Sequence, residues 1–246
     1  MDYFVFGDVD TRNFNVKIFP LNIDLAPEVT QQKIAVPGRN GDLLQATRRF
    51  ENVQHRYTGV IYSEKNNLGQ VTVSAEEKMR DFRNALLKYV GYARLEDSIN
   101  TDEFYQAHYA GGLEPELALG RDMVKFVIEF DRKPQRFLKS GELQISISTS
   151  SATITNPTLY PSKPLIRIYG NGSVIIGTST ITVSENSRAY VDVDCEMMDC
   201  FWVGDNLNGK VSLSGYKFPE IAPGNVSVSK SGSVSSIYIT PRWWRV

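Results

Sequence analysis

Hydrophobic and polar residues alternate with a period of two along much of the chain, which predicts strands with one buried face. Phe14, Val16 and Ile18 oppose Asn15 and Lys17; further on, Val124, Phe126, Ile128 and Phe130 alternate with Lys125, Val127 and Glu129. Between these segments the spacing turns helical. Ser74 and Glu77 form an S-x-x-E capping box, Met79, Phe82, Leu86, Tyr89 and Val90 share one side, and Gly91 supplies a left-handed stop. Lys78, Arg80, Arg83 and Lys88 on the other side predict a solvated face. The N-terminal part reads as a β-sheet domain with one packed α-helix.

The pattern changes around Asp131, where the basic run RKPQRFLKSGE carries a Pro and a Gly. A boundary there gives two domains, 1–135 and 136–246. Beyond it the composition shifts to Ser, Thr, Gly and Val. Short strands are predicted near Leu143 to Ile147, Leu165 to Tyr169, Val174 to Ile176, Ile181 to Val183 and Tyr190 to Cys195, separated by turns at the spacing of a sandwich. Gly204-Asp205-Asn206 and Asn208-Gly209 read as turns, with Gly209 placed for a positive φ. Near the end, Pro223-Gly224-Asn225 predicts a reversal. Val226 and Val228, then Ile237 and Ile239, mark two strands around a Ser/Gly loop, which reads as a hairpin. The fold class is mainly β, in two domains.

Charge is nearly balanced, 27 Lys plus Arg against 28 Asp plus Glu, so no overall field attracts nucleic acid or an anionic membrane. The opening MDYFVFGDVD is acidic where a signal peptide is basic, and no stretch approaches the roughly twenty apolar residues of a membrane span. These features predict synthesis in a cytoplasm. There, Cys195 and Cys200 are expected as free thiols. Groups able to do chemistry are scarce. His55 and His108 are the only histidines, and no nucleophile elbow, H-E-x-x-H pair or phosphate loop occurs. Asp192 and Asp194 fall on the same side of one strand, a spacing open to a hard cation or an acid pair. Alternation instead predicts Val191, Val193 and Cys195 as the buried side and Tyr190, Asp192 and Asp194 as a polar outer row. Trp202, Trp243 and Trp244 raise a carbohydrate reading, but adjacent Trp243 and Trp244 point to opposite faces of a strand. No catalytic, cofactor-binding or metal-binding residue emerges, and the chain reads as no enzyme.

Several blocks together resemble one family. VPGRNGDLL (Val36 to Leu44), GYARLEDSINTDEFYQAHY (Gly91 to Tyr109), the Pro134 and Phe137 link, YPSKPLIRIYGNGSVII (Tyr160 to Ile176), YVDVDCE (Tyr190 to Glu196) and the closing FPEIAPGNVSVSKSGSVSSIYITPRWWRV occur in the order found in distal tail proteins of long-tailed bacteriophages. Asn40 stands where that family's loop has Asp. The resemblance implies a structural protein forming a ring, usually hexameric, which joins the tail tube to the host-adsorption apparatus in the virion. It implies a ring-forming N-terminal domain, a galectin-like β-sandwich as C-terminal domain, and the tail tube, tape measure and tail-tip or receptor-binding proteins as partners besides further copies of the chain. A carbohydrate-binding tail-tip protein that recognises cell-wall glycans is the alternative. A closed ring needs two different complementary patches per copy. Candidates for subunit contacts are Val36, Pro37, Gly38, Arg39, Asn40 and Gly41 of the first block, with Asp97, Tyr105 and Tyr109 in and beside the segment Ser98 to Glu116.

Overall fold

The structure, a computed structural model, describes residues 2–20, 26–119, 122–184 and 187–246. The chain divides into two compact units, Met1–Arg136 and Phe137–Arg245.

The first unit contains strands β1 (Phe4–Phe6), β2 (Val9–Asp10), β3 (Val16–Pro20), β4 (Val29–Ala35), β5 (Asp42–Phe50), β6 (Val53–Tyr62), β7 (Glu64–Lys65) and β8 (Val71–Val73). Then come helix α1 (Ala75–Leu86), β9 (Tyr92–Asp97), β10 (Glu103–His108), β11 (Glu114–Leu119) and β12 (Met123–Leu138), whose last two residues belong to the second unit. The main sheet runs β2-β1-β9-β10-β12-β6-β3, with β11 also beside β12. Strict alternation along β6 buries Val53, His55, Tyr57 and Ile61, and along β12 it buries Val124, Phe126, Ile128, Phe130 and Arg132. Their antiparallel register sets Ile61 opposite Val124, Tyr57 opposite Ile128 and His55 opposite Phe130. Gly59 lies opposite Phe126, and the ring takes the space of the missing side chain: a Cβ there would meet Phe126 Cζ at 2.2 Å. Phe4 stacks on Tyr57 at 5.1 Å and meets Phe130 edge-on at 5.3 Å.

Helix α1 lies against this aromatic core through Met79, Phe82 and Leu86. The Ser74 hydroxyl accepts the Glu77 backbone N–H at 3.2 Å, as the capping signature predicts. Three expectations change. The helix ends at Leu86, before Val90, which is 99% exposed although Gly91 does take φ +94°. Lys78 does not lie on a solvated face: its side chain is buried and its ammonium pairs with Glu64, because the helix also covers the start of the β7–β8 hairpin. Phe14 belongs to a 3-10 turn, Thr11–Phe14, and not to the strand that follows.

The second unit contains β13 (Ile145–Ile147), β14 (Ser151–Asn156), β15 (Leu165–Tyr169), β16 (Gly172–Ile176), β17 (Ser179–Val183), β18 (Val191–Asp194), β19 (Asp199–Trp202), β20 (Asp205–Asn206), β21 (Val211–Leu213), β22 (Gly224–Gly232), β23 (Ser236–Thr240) and β24 (Trp244–Arg245). Two sheets, β13-β23-β15-β18-β19-β20 and β14-β22-β16-β17-β21, contribute to one aliphatic core of Ile166, Ile168, Val193, Ile237, Val174 and Val228 with their neighbours. The two closing strands are not a hairpin. β22 pairs with β14 and β16, whereas β23 pairs with β13 and β15, so the chain crosses from one sheet to the other at 233–235. The crossing is tight. Ser233 N–H donates to Asn171 O at 2.8 Å and Ser235 N–H to Tyr169 O at 2.9 Å, and Gly172, at φ +141°, lets the Ser231 carbonyl approach where a Cβ would be 2.2 Å away. Gly209 sits in a 3-10 turn, Asn208–Lys210, without the expected positive φ.

The Gly59–Phe126 pair has a direct consequence. Gly59→Ala overpacks the aromatic core and lowers the unfolding free energy by about 1–3 kcal/mol, measurable by urea denaturation of the full chain. Unchanged stability would show that the ring moves aside without cost.

Candidate assembly surface

Strands β4 and β5 pair with each other and, among the described residues, with no other strand. Their register runs from Gln31 opposite Ala46 to Ala35 opposite Asp42, with a bulge between Val29 and Gln31. Val36 to Gly41 form the turn. Arg39 N–H donates to Val36 O at 3.2 Å, and Gly38 and Gly41 take φ +79° and +81° with open space on the Cβ side. Everything from Val36 to Gln45 is exposed, including Leu43 and Leu44 at 47% and 53%. A two-stranded ribbon without a covered face is marginal in water. This one presents backbone edges and three apolar side chains, Val36, Leu43 and Leu44, to solvent.

The other candidates lie inside their own unit. Asp97 is buried: its Oδ2 accepts the Tyr57 hydroxyl at 2.9 Å, and its Oδ1 accepts the N–H groups of Ile99 at 3.0 Å and Asn100 at 2.8 Å. Tyr105, 2% exposed, lies under the Arg132 guanidinium, 4.5 Å from the ring centroid. Tyr109, also 2% exposed, meets Phe130 at 5.7 Å. Asp97 ties a turn, and Tyr105 on β10 and Tyr109 just beyond it face inward, so all three side chains are buried within the unit. Ile99, Thr101, Asp102, Ala110, Gly112 and Pro115 are the exposed residues of this stretch, and the side chains of Glu114 and Glu116 lie outside those described.

Asp192 and Asp194 are not an outer polar row. They do share a side of β18, yet they are only 4% and 3% exposed, because an arginine closes over each. Arg167, opposite Asp192 in register, donates to it twice, at 2.8 and 2.9 Å, while Arg242 donates to Asp194 twice at 2.8 Å. Burial pushes the Asp194 carboxyl up, but Arg242 and the backbone N–H groups of Met197 and Glu196 outweigh it and hold the group below the usual carboxylate range. Arg242 takes a left-handed backbone, φ +58°, which brings its guanidinium to this carboxylate. Among the described residues no cluster of His, Cys, Asp and Glu has the arrangement of a metal site.

Both cysteines are free and buried. Cys200 lies on β19 opposite Val193, not in a loop. Burial, aided by Asp194 at Cys195 and by Asp199 at Cys200, pushes both thiols up to about 12. The tryptophans are engaged within the unit. Trp243 is buried, Trp244 stacks on Tyr160 at 4.5 Å with its indole N–H on Pro161 O, and the Arg188 guanidinium lies over Trp202 at 4.6 Å. No helix among the described residues is long and apolar enough to cross a membrane.

No family model and no curated protein matches the chain. Among solved structures, the Dit (gp 19.1) protein of phage SPP1, described as a paradigm of the hub adsorption apparatus in phages infecting Gram-positive bacteria, matches with a TM-score of 0.69. The match covers 100% of both chains at 11% identity. A chain of the phage p2 baseplate in its activated conformation with Sr matches with a TM-score of 0.52, covering 97% of each chain at 13% identity. The chain has the Dit fold. Sequence divergence of this depth leaves pattern, not identity, as the shared signal, and a two-unit, mainly β Dit fold is what the ordered blocks implied.

Two outcomes follow from the second unit of this Dit fold. Asp192→Asn and Asp194→Asn each cost roughly 1–3 kcal/mol, since each deletes a charge that takes two hydrogen bonds from a part-exposed arginine. Thermal melts with and without calcium check this; equal loss in both, with no calcium-dependent stabilisation of the parent, is expected. Both thiols label slowly at neutral pH in the native chain and rapidly once it is unfolded. Fast native labelling of Cys200 would contradict its burial.

Proposed function

We propose that this chain is a structural subunit of a phage tail, a hub protein that assembles as a ring, usually six copies, between the tail tube and the adsorption apparatus at the tail tip. The observation that carries the reading is the full-length match to SPP1 Dit. Nearly balanced charge suits a part whose work is contact area. The first unit makes the ring, and the β4–β5 ribbon supplies one of the two different patches that a rotational ring requires. Its partner is the neighbouring copy, where Val36, Leu43 and Leu44 lose their exposure and Arg39 meets an acceptor. The remaining partners are the tube, tape measure and tip proteins, and the assembled location is the virion tail.

Mass measurement by light scattering tests the ring. The parent forms a discrete cyclic oligomer, and Arg39→Glu lowers its mass, because a reversed charge at a desolvated contact costs roughly 2–5 kcal/mol. Replacing 31–48 with a short Gly linker gives folded monomers. An unchanged oligomer after both changes removes the ribbon from the contact, and a monomeric parent at high concentration overturns the ring.

A further inference from the structure

His55 is an enclosed titratable group of the first unit that has no part in the assembly proposed above. It is 5% exposed, and neither ring nitrogen has a hydrogen-bond partner. Buried polar atoms are nearly always partnered, so this pair of orphans asks for a reason. The ring is held edge-on against Tyr57 at 4.6 Å and stacked near Tyr105 at 6.0 Å. Each neighbouring element sends a titratable or charged group towards this spot: Tyr57 from β6, Asp97 from β9, Glu103 and Tyr105 from β10, Arg132 and Arg136 from β12. Asp97 already accepts from Tyr57, Ile99 and Asn100, and Glu103 pairs with Arg136 at 2.8 Å. Two arginines therefore stand close by, while Asp97 accepts three other donors and Glu103 pairs through Oε2 with Arg136.

We propose that His55 is an acid-release point of the first unit: a proton on this enclosed imidazole drives it from between Tyr57 and Tyr105 and opens the sheet where β6, β10 and β12 meet. Protonation turns both ring nitrogens, neither of which has a partner in the structure, into N–H donors and sets a charge beside that of Arg132, which exposure to water relieves. Burial first, then Arg132 and Arg136 against a smaller opposing pull from Asp97, moves the group down from 6.5 to about 4. The unfolded chain binds the proton before the folded chain does. Stability from this group is complete above 6.5, declines as pH falls towards about 4 and levels off below it.

Hydrogen-exchange protection of amides in 53–62 and 103–108 of the full chain reads the opening. Between about pH 7 and about pH 4 the parent and His108→Gln lose protection by on the order of 100-fold more than His55→Gln or His55→Phe. Carboxylates titrate in all four proteins, so the difference belongs to His55. In the parent, the His55 ring protons titrate well below 6.5. Parallel protection profiles in parent and His55 variants, or a His55 titration at the ordinary histidine value, would overturn the proposal. If neither variant folds, the titration of the parent decides alone.

Discussion

Long antiparallel pairing between β6 and β12 puts every second side chain of both strands on one face, and the first unit is assembled on that face. Ile61, Tyr57, Val124, Phe126, Ile128 and Phe130 form a surface that Phe4, Phe6 and Phe82 complete from β1 and α1. Burial of these rings is the dominant favourable contribution, since aromatic side chains remove large areas from water. Gly59 matters here for what it lacks. Further along the same two strands the buried side turns polar, at His55 and Arg132, and the tyrosine hydroxyls, Asp97 and the arginines take the place of rings. One face thus holds a dry aromatic end and a charged end, and the second is the vulnerable one.

The second unit meets a different problem. Its core is aliphatic, and two carboxylates lie on the opposite side of β18 from that core. They are buried only because Arg167 and Arg242 close over them, and the second arginine reaches its place through a left-handed turn near the chain end. An ion pair of this kind contributes less to net stability than to arrangement: breaking it leaves an arginine or a carboxylate without its partner. Asp194 also accepts two backbone N–H groups of the turn after β18, so a single carboxylate holds that turn and the segment before Trp243 together.

The β4–β5 ribbon stands apart from both solutions. Its turn end has no buried face, and Val36, Leu43 and Leu44 end in solvent. Because a lone hairpin gains little from its own hydrogen bonds in water, its structure is best suited to being completed by another chain. An open edge is also a risk of misassociation, and the polar run Thr30, Gln31, Gln32 and Lys33 along β4 limits that risk.

Local pattern by itself determined the strands of β12, β15, β16, β17 and β18, the cap and inner face of α1 and the change of character near residue 131, because alternation and capping depend on neighbours a few residues apart. The ordered motifs also pointed to the Dit fold. What the tertiary structure alone decided involves partners distant in sequence. Alternation placed Asp192 and Asp194 correctly on one side of β18, but only Arg167 and Arg242 determined that this side is buried. Two strand patterns around a Ser/Gly loop look alike whether they pair with each other or enter different sheets, and Gly172 beside Ser231 belongs to the second outcome. Polarity suggested that Asp97, Tyr105 and Tyr109 face outward, whereas a carboxylate that receives three hydrogen bonds and rings packed beneath arginine and phenylalanine are stable inside. Sequence spacing reports which residues share a face; which face meets water depends on the groups that the fold lays over it.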